Sequence, residues 1–337
     1  MQRLSSVLWI GLLLLGSAFL PMQAQPTLAA PAPAPATAGC PPAPGAVGGL
    51  QQWGFNELYS VSARSSADAW AVGVYRTPNS DLSTLRPLIE HWDGANWTMV
   101  TPAPYDQTSK LVSVVALAAN DVWAVGAGGI VVTGEQTPSR PLIEHWNGTA
   151  WSIVPSPPAG SAYSIAGLTG VTALAADNVW AVGYSQELST APQAFVIHWD
   201  GHAWTQVATP TEAAGLSGVS AVAADDIWAV GSVGFYGPGV MQSLHWNGTA
   251  WAVVAVPMGP GSLTAVSAHS PADVWAVGFA GEVNANTPLT LHWNGSAWTQ
   301  VAAPAPAGSN ALYGVVARAA DDVWAVGRTG PTAYTTQ

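Results

Sequence analysis

Apolar residues in this chain fall in short runs of about four to six, cut off by Gly, Pro, Asn and Asp. LYSVSA, from Leu58 to Ala63, meets a turn at Ser66-Ala67-Asp68 and is followed by Trp70 to Gly73. A longer loop leads to LIEHW, from Leu88 to Trp92, then an Asp93-Gly94 turn and WTMV, from Trp97 to Val100, ending at Pro102. Segments this short, rich in β-branched and aromatic residues and separated by turn residues, predict four antiparallel strands in a meander. They are apolar on both faces, as in Val122, Trp123, Ala124 and Val125, so both faces of the sheet must be covered.

The same pattern returns along the chain. Trp-Ala-Val-Gly begins at Trp70, Trp123, Trp180, Trp228, Trp275 and Trp324, about 47 to 57 residues apart. The first five copies are each followed by His-Trp-Asp/Asn-Gly and a further tryptophan: HWDGANW at His91, HWNGTAW at His145, HWDGHAW at His198, HWNGTAW at His245 and HWNGSAW at His292. A period of this length marks a repeat architecture, and radial stacking of four-stranded sheets covers both faces of each one. The expectation is an all-β chain, a β-propeller of four-stranded antiparallel blades, six in number or seven if the ring is truncated. Repeats start near residues 58, 111, 168, 216, 263 and 312. The sixth shows only its first two strands, Leu312 to Ala317 and Val323 to Gly327, so closure would draw on Pro331 to Gln337 and on a segment near Gly45 to Trp53.

Ahead of the repeats, residues 1–24 read as a signal peptide, with Arg3, the apolar run Val7 to Leu20 and a Met22-Gln23-Ala24 cleavage site. Residues 25–49 are an Ala/Pro-rich linker containing PAPAPA, and residues 50–337 form the propeller. A secreted or cell-surface location follows, without membrane insertion after cleavage. Cys40 is the only cysteine, so no intrachain disulfide can form. Eight Lys and Arg against 19 Asp and Glu give a net charge of -11, which argues against nucleic acid as a partner. A monomeric state is expected.

Most recurring residues read as architecture. The residue two before each Trp-Ala-Val-Gly, Asp68, Asp121, Asn178, Asp226, Asp273 or Asp322, is expected to bond backbone N–H groups in the first turn. His91, His145, His198, His245 and His292 recur in the third strand and are expected to donate to a neighbouring strand. The Asp-Gly and Asn-Gly pairs supply positive φ at a tight hairpin. Three of the Asn-Gly pairs also read as glycosylation sequons. No metal, phosphate or nucleophile motif stands out, and no cofactor is expected.

The repeat form, LxxVSAxSxxDVWAVG followed by IxHWDGxxWxxV, resembles the Asp-box (BNR-type) bacterial propeller repeats and is similar to tectonin-type lectin repeats, over about Leu58 to Gly327. The resemblance implies a propeller. For function it spans sialidases, lectins, assembly factors and scaffolds. A sialidase would resemble its family in an arginine cluster with a Tyr/Glu pair and a general acid. Here the arginines are scattered and Glu90 and Glu144 are repeat-equivalent, so no catalytic residues and no enzyme activity are expected.

In a meander blade, the turns after strands one and three share one face of the disc and the loops after strands two and four share the other. The first set is short and uniform. The loops Val74 to Pro87, Ala127 to Pro141, Tyr184 to Pro192, Ser232 to Gln242 and Phe279 to Pro288 are long and irregular. They place Tyr75, Arg76, Arg86, Arg140, Tyr184, Phe235 and Tyr236 on one face, as candidate contacts for an extracellular glycan or protein. A structural cell-surface scaffold without a defined ligand is the alternative, and a sialidase-like glycoside hydrolase the distant one.

Overall fold

The computed structural model describes residues 6–9, 55–76, 85–105, 107–129, 138–187, 190–233, 239–257, 259–281 and 286–330. The first strand in chain order is β1 (Ser6–Trp9). Five four-stranded antiparallel sheets follow. Blade 1 comprises β2 (Phe55–Ser65), β3 (Asp68–Arg76), β4 (Arg86–Trp92) and β5 (Trp97–Met99). Blade 2 comprises β6 (Ser109–Ala118), β7 (Asp121–Gly128), β8 (Arg140–Trp146) and β9 (Trp151–Ile153), and blade 3 comprises β10 (Ile165–Ala175), β11 (Asn178–Gln186), β12 (Gln193–Trp199) and β13 (Trp204–Val207). Blade 4 comprises β14 (Leu216–Ala223), β15 (Asp226–Val233), β16 (Val240–Trp246) and β17 (Trp251–Val254), and blade 5 comprises β18 (Gly261–Ser270), β19 (Asp273–Ala280), β20 (Thr287–Trp293) and β21 (Trp298–Gln300).

Blade 6 has β22 (Ser309–Ala319) and β23 (Asp322–Gly330), with β1 alongside β23. That third position is filled differently from the other blades, because β1 runs parallel to β23, pairing Ser6 with Trp324 and Trp9 with Gly327. The segments expected to complete this blade, Pro331 to Gln337 and Gly45 to Trp53, lie outside the described residues.

Within a blade, each sheet is strictly sequential, and the first strands of successive blades pack side by side as the innermost layer. The Trp-Ala-Val-Gly glycine has a local cause. A bulge in the first strand, between Leu58 and Ser60 in blade 1 and at the matching place in every blade, brings that strand against the second. A Cβ on Gly73, Gly126, Gly183, Gly231, Gly278 or Gly327 would sit 1.9 to 2.2 Å from a first-strand carbonyl oxygen. Only glycine fits there.

The hairpin expectation holds: Gly94, Gly148, Gly201, Gly248 and Gly295 have φ between 90° and 96°. Their partner side chain closes the turn, Asp93 Oδ1 accepting from Ala95 N–H at 2.8 Å and Asn96 N–H at 2.7 Å. The Asp before Trp-Ala-Val-Gly acts otherwise than expected. Its carboxylate meets the blade's histidine, which donates from Nε2 across to the second strand: His91 to Asp68 at 3.0 Å, His145 to Asp121 at 2.8 Å, His245 to Asp226 at 2.9 Å and His292 to Asp273 at 2.8 Å. In blade 3 the amide oxygen of Asn178 takes the same bond from His198 at 3.0 Å. The first turn is held instead by the third-strand tryptophan, whose indole N–H donates to its carbonyl, as from Trp146 to Ala119 O at 3.1 Å.

The Trp-Ala-Val-Gly tryptophans of blades 1 to 5 are buried, and Trp324 of blade 6 is 39% exposed. Trp70 lies 4.4 Å from the His91 ring of its own blade and 5.2 and 5.4 Å from Trp146 and Trp151 of the next. Trp123, Trp180 and Trp228 repeat this with Trp199 and Trp204, Trp246 and Trp251, and Trp293 and Trp298. The cores therefore run across blade junctions rather than within blades. First-strand hydroxyls add polar ties, Ser60 Oγ accepting from Val114 N–H at 3.2 Å and Ser62 Oγ from Ala116 N–H at 3.1 Å.

Replacing Gly183 with Ala, which would place a Cβ 2.0 Å from Gly167 O, is expected to cost about 3 kcal/mol in urea unfolding. Gly330→Ala, where the Cβ meets nothing within 4 Å, is the control and should leave the midpoint unchanged.

Candidate functional site

The second strand of each blade ends, and the third begins, on the face that carries the long loops. Three clefts open there. One of about 400 Å³ lies beside Arg140 and the Ser156 to Ala162 connection between blades 2 and 3. A second, of about 210 Å³, is apolar, formed by Val233, Val240, Met241 and Val253 to Pro257. The third, of about 190 Å³, is bordered by Thr169, Tyr184, Ser217, Ser232 and Ser262, with Pro192 and Gly215 at its wall, and spans blades 3, 4 and 5 next to the innermost strands.

The candidate residues divide among these surroundings. Tyr75 and Arg76 end β3, and Arg86 pairs across from Tyr75 at the start of β4. Arg86 spends its guanidinium on the loop leading to blade 2, donating from Nη1 to Gln107 O at 3.0 Å and Tyr105 O at 3.4 Å. Arg140, its equivalent in blade 2, donates to Ser139 O at 3.0 Å and Ser164 O at 2.9 Å, and its Nη2 reaches Ala162 O. Both arginines thus tie an interblade loop to the third strand. Near Arg140, Glu187 accepts from Ser161 N–H at 2.7 Å and Ser161 Oγ at 2.6 Å; these bonds, aided by the Arg140 charge, hold its carboxyl below the usual range. Tyr184 sits in the third cleft, beside Gly215. Phe235 and Tyr236 lie outside the described residues.

Position in the repeat reveals a group that sequence patterning passed over. The residue before the first-strand leucine is Glu57, Lys110, Gly167, Gly215, Ser262 or Ala311, so chemistry varies there while its neighbours repeat. Lys110, the chain's single lysine, holds its ammonium 5.9 Å from the centre of the Tyr59 ring. Burial pushes its amine down, and Glu57 pulls the other way. Tyr59 donates to Glu57 Oε2 at 2.9 Å, and burial with that neighbour raises its hydroxyl to about 12. The cleft hydroxyls of Thr169, Ser217 and Ser262 belong to the same innermost strands. Their irregular identities inside a regular apolar strand were the available signal.

Two repeat-equivalent third-strand carboxyls, Glu90 and Glu144, are buried. Glu144 is fully buried, Oε2 accepting from Ala103 N–H at 2.8 Å while Oε1 meets no donor among the described residues. Burial raises its carboxyl to about 7 against the pull of that N–H, and burial raises Glu90 as well. No group of three or more His, Cys, Asp or Glu able to hold a metal occurs among the described residues. Nor, among them, is any helix long and apolar enough to cross a membrane.

Comparison with known proteins agrees with the architecture. The Hadza microbial sialidase Hz136 is similar over 83% of this chain and 67% of its own, with 10% identity and a TM-score of 0.55. The chain is a β-propeller. A protein of unknown function from Dyadobacter fermentans DSM 18053 matches this propeller over 79% of the chain and 88% of its own, at 11% identity and a TM-score of 0.52. YCF48 bound to D1 peptide matches over 82% and 76%, at 17% identity and a TM-score of 0.47. No protein-family model matches the chain, and no curated protein does. At these identities the likeness is one of fold alone.

Because the folded-state pKa of Glu144 lies above its unfolded value, its contribution is fully present below about pH 4.5 and is lost as pH rises through about 7. Across that window the propeller is expected to lose about 3 kcal/mol relative to Glu144→Gln, which keeps an acceptor for Ala103 N–H and carries no charge. Urea midpoints of both proteins at pH 4.5 and 8 measure the difference.

Proposed function

We propose that this propeller is a non-enzymatic, exported binding module that holds its ligand on the long-loop face, and that the ligand of the third cleft is a glycan. One observation carries the reading: the clefts between Arg140 and the blade 2 to blade 3 connection, at Met241, and at Tyr184 all open on that face, where the repeat stops repeating. The opposite face consists of the Asp-Gly and Asn-Gly hairpins and the tryptophan-capped first turns. The Tyr184 cleft is lined by an aromatic ring, by Ser217 and by bonded hydroxyls that can still accept, Thr169 Oγ1 donating to Leu216 O at 2.7 Å and Ser232 Oγ meeting Ser262 Oγ at 3.0 Å. It has no charged side chain, which suits a neutral polyhydroxylated ligand that donates to these hydroxyls and stacks. The resemblance of the repeat to tectonin-type lectin repeats is in keeping with this.

Against catalysis stand the engagements of the acidic groups. Four Asp are paired with histidines, Glu144 lies in a blade junction, and Glu187 is bonded twice to Ser161. Arg86 and Arg140, though on the chosen face, serve the loops beneath it.

Glycan arrays probed with the exported domain test the proposal. Ser217→Trp fills the cleft and should weaken binding at least about tenfold, while Thr149→Glu on the hairpin face should leave it unchanged, in line with the weight of one central contact in a binding site. Loss with Thr149→Glu alone sinks the long-loop assignment. Binding of a protein in pull-downs with no glycan signal replaces the glycan, and no binding in either format favours the scaffold.

A further inference from the structure

The junction between blades 1 and 2 holds a cluster of an amine, a phenol and a carboxylate at its inner end. Two hydroxyl ties fix the register of its innermost strands, Ser60 to Val114 and Ser62 to Ala116, each pair 54 residues apart. Continued by the same offset, that register sets Lys110 of β6 level with Asn56 of β2, beside Glu57 and Tyr59. Tyr59 is the bulge residue of β2. The bulge residues of blades 3 and 5, Thr169 and Thr264, donate to Leu216 O and Leu312 O of the following blade, each at 2.7 Å, so this position looks across the junction. Tyr59 has a longer side chain there, and its ring lies by the Lys110 ammonium while its hydroxyl turns to Glu57. Among the described residues Lys110 enters no ion pair. It is half-buried between the buried Ser109 and Leu111, and both it and Tyr59 keep part of their surface open to solvent.

We propose that Lys110 is a covalent carbonyl-binding site, separate from the glycan cleft: its amine takes up a small aldehyde as an imine, while the Tyr59 hydroxyl and the Glu57 carboxylate move the protons. The ammonium first yields a proton to Glu57 by way of the Tyr59 hydroxyl. The freed Nζ lone pair bonds to the carbonyl carbon, and the carbonyl oxygen takes one amine proton, giving a neutral carbinolamine. Its C–O bond then breaks, the oxygen leaving as water with the proton that Glu57 returns through Tyr59, and the nitrogen lone pair closes the C=N bond. The sum is one ammonium and one aldehyde giving one protonated imine and one water, with nothing oxidised or reduced. The positive charge of that product stays beside the Tyr59 ring face and the Glu57 carboxylate, both of which favour it. Burial outweighs Glu57 in setting the free amine and favours its uncharged, nucleophilic form. Tyr59, held up to about 12, keeps its proton near neutrality and so can relay it.

Reductive trapping tests this, and a chain with a single lysine makes the readout clean. The full chain carrying Thr149→Lys, which adds one ordinary amine on an exposed hairpin, is incubated with benzaldehyde and cyanoborohydride near neutral pH and mapped by peptide mass spectrometry. Lys110 is expected to gain the benzyl group at least about tenfold faster than the introduced amine, as a desolvated amine beside a proton relay should. Tyr59→Phe keeps the ring face and removes the relay. It should slow labelling of Lys110 about tenfold and leave the introduced amine unchanged, whereas a lysine that merely packs on the ring would not respond. Glu57→Gln, at an exposed position, should slow it in the same way. Equal rates at the two amines, or a Lys110 rate that neither variant lowers, would overturn the proposal.

Discussion

In blades 1 to 4 one tryptophan, held between its own histidine and two tryptophans of the next blade, makes the contact on which the rest of this propeller depends. The Trp70 indole stands 4.4 Å from His91 on one side and nearly perpendicular to Trp151 on the other. Edge-to-face and offset contacts between aromatic rings add attraction beyond the area they bury. Among the described residues, backbone hydrogen bonds between successive sheets occur only at their margins, as from Ala166 N–H to Ser139 O at 3.1 Å, so this contact is what packs the broad faces of the meanders into one body.

Smaller constraints place that tryptophan. The bulged first strand crosses so close to the second that glycine must stand three residues after it. The histidine that stacks on it is fixed in turn by an Asp or Asn carbonyl-type oxygen two residues before it. A carboxylate can only accept, so the imidazole must present Nε2–H to it and its ring plane is set. The turn residue, the third-strand histidine, the second-strand indole and the neighbouring blade thus form a chain of causes.

Much of this was legible in the sequence, since the period, the strand lengths and the hairpin turns all follow from local pattern. The Asp–His pair was not. Its members lie 19 to 24 residues apart in chain order, and a short polar side chain beside a turn reads locally as a turn cap. The bonds that Arg86 and Arg140 make were illegible for a related reason: the carbonyls they meet come from a connection 19 to 24 residues away. The long-loop face was recoverable because topology alone assigns it. The hydroxyls of Thr169, Ser217 and Ser262 were not, because they interrupt strands whose apolar pattern was already explained as core.

The junction described first has a consequence for how such a chain can change. Because the strand contacts between units run between successive blades among the described residues, a whole repeat could be duplicated or lost at the genetic level and leave the remaining interfaces chemically intact. Point substitutions in the aromatic layer enjoy no such freedom. Lineages of this architecture would accordingly vary in steps of one blade, with the ring's diameter as the quantity that drifts and its seams as the quantity that stays.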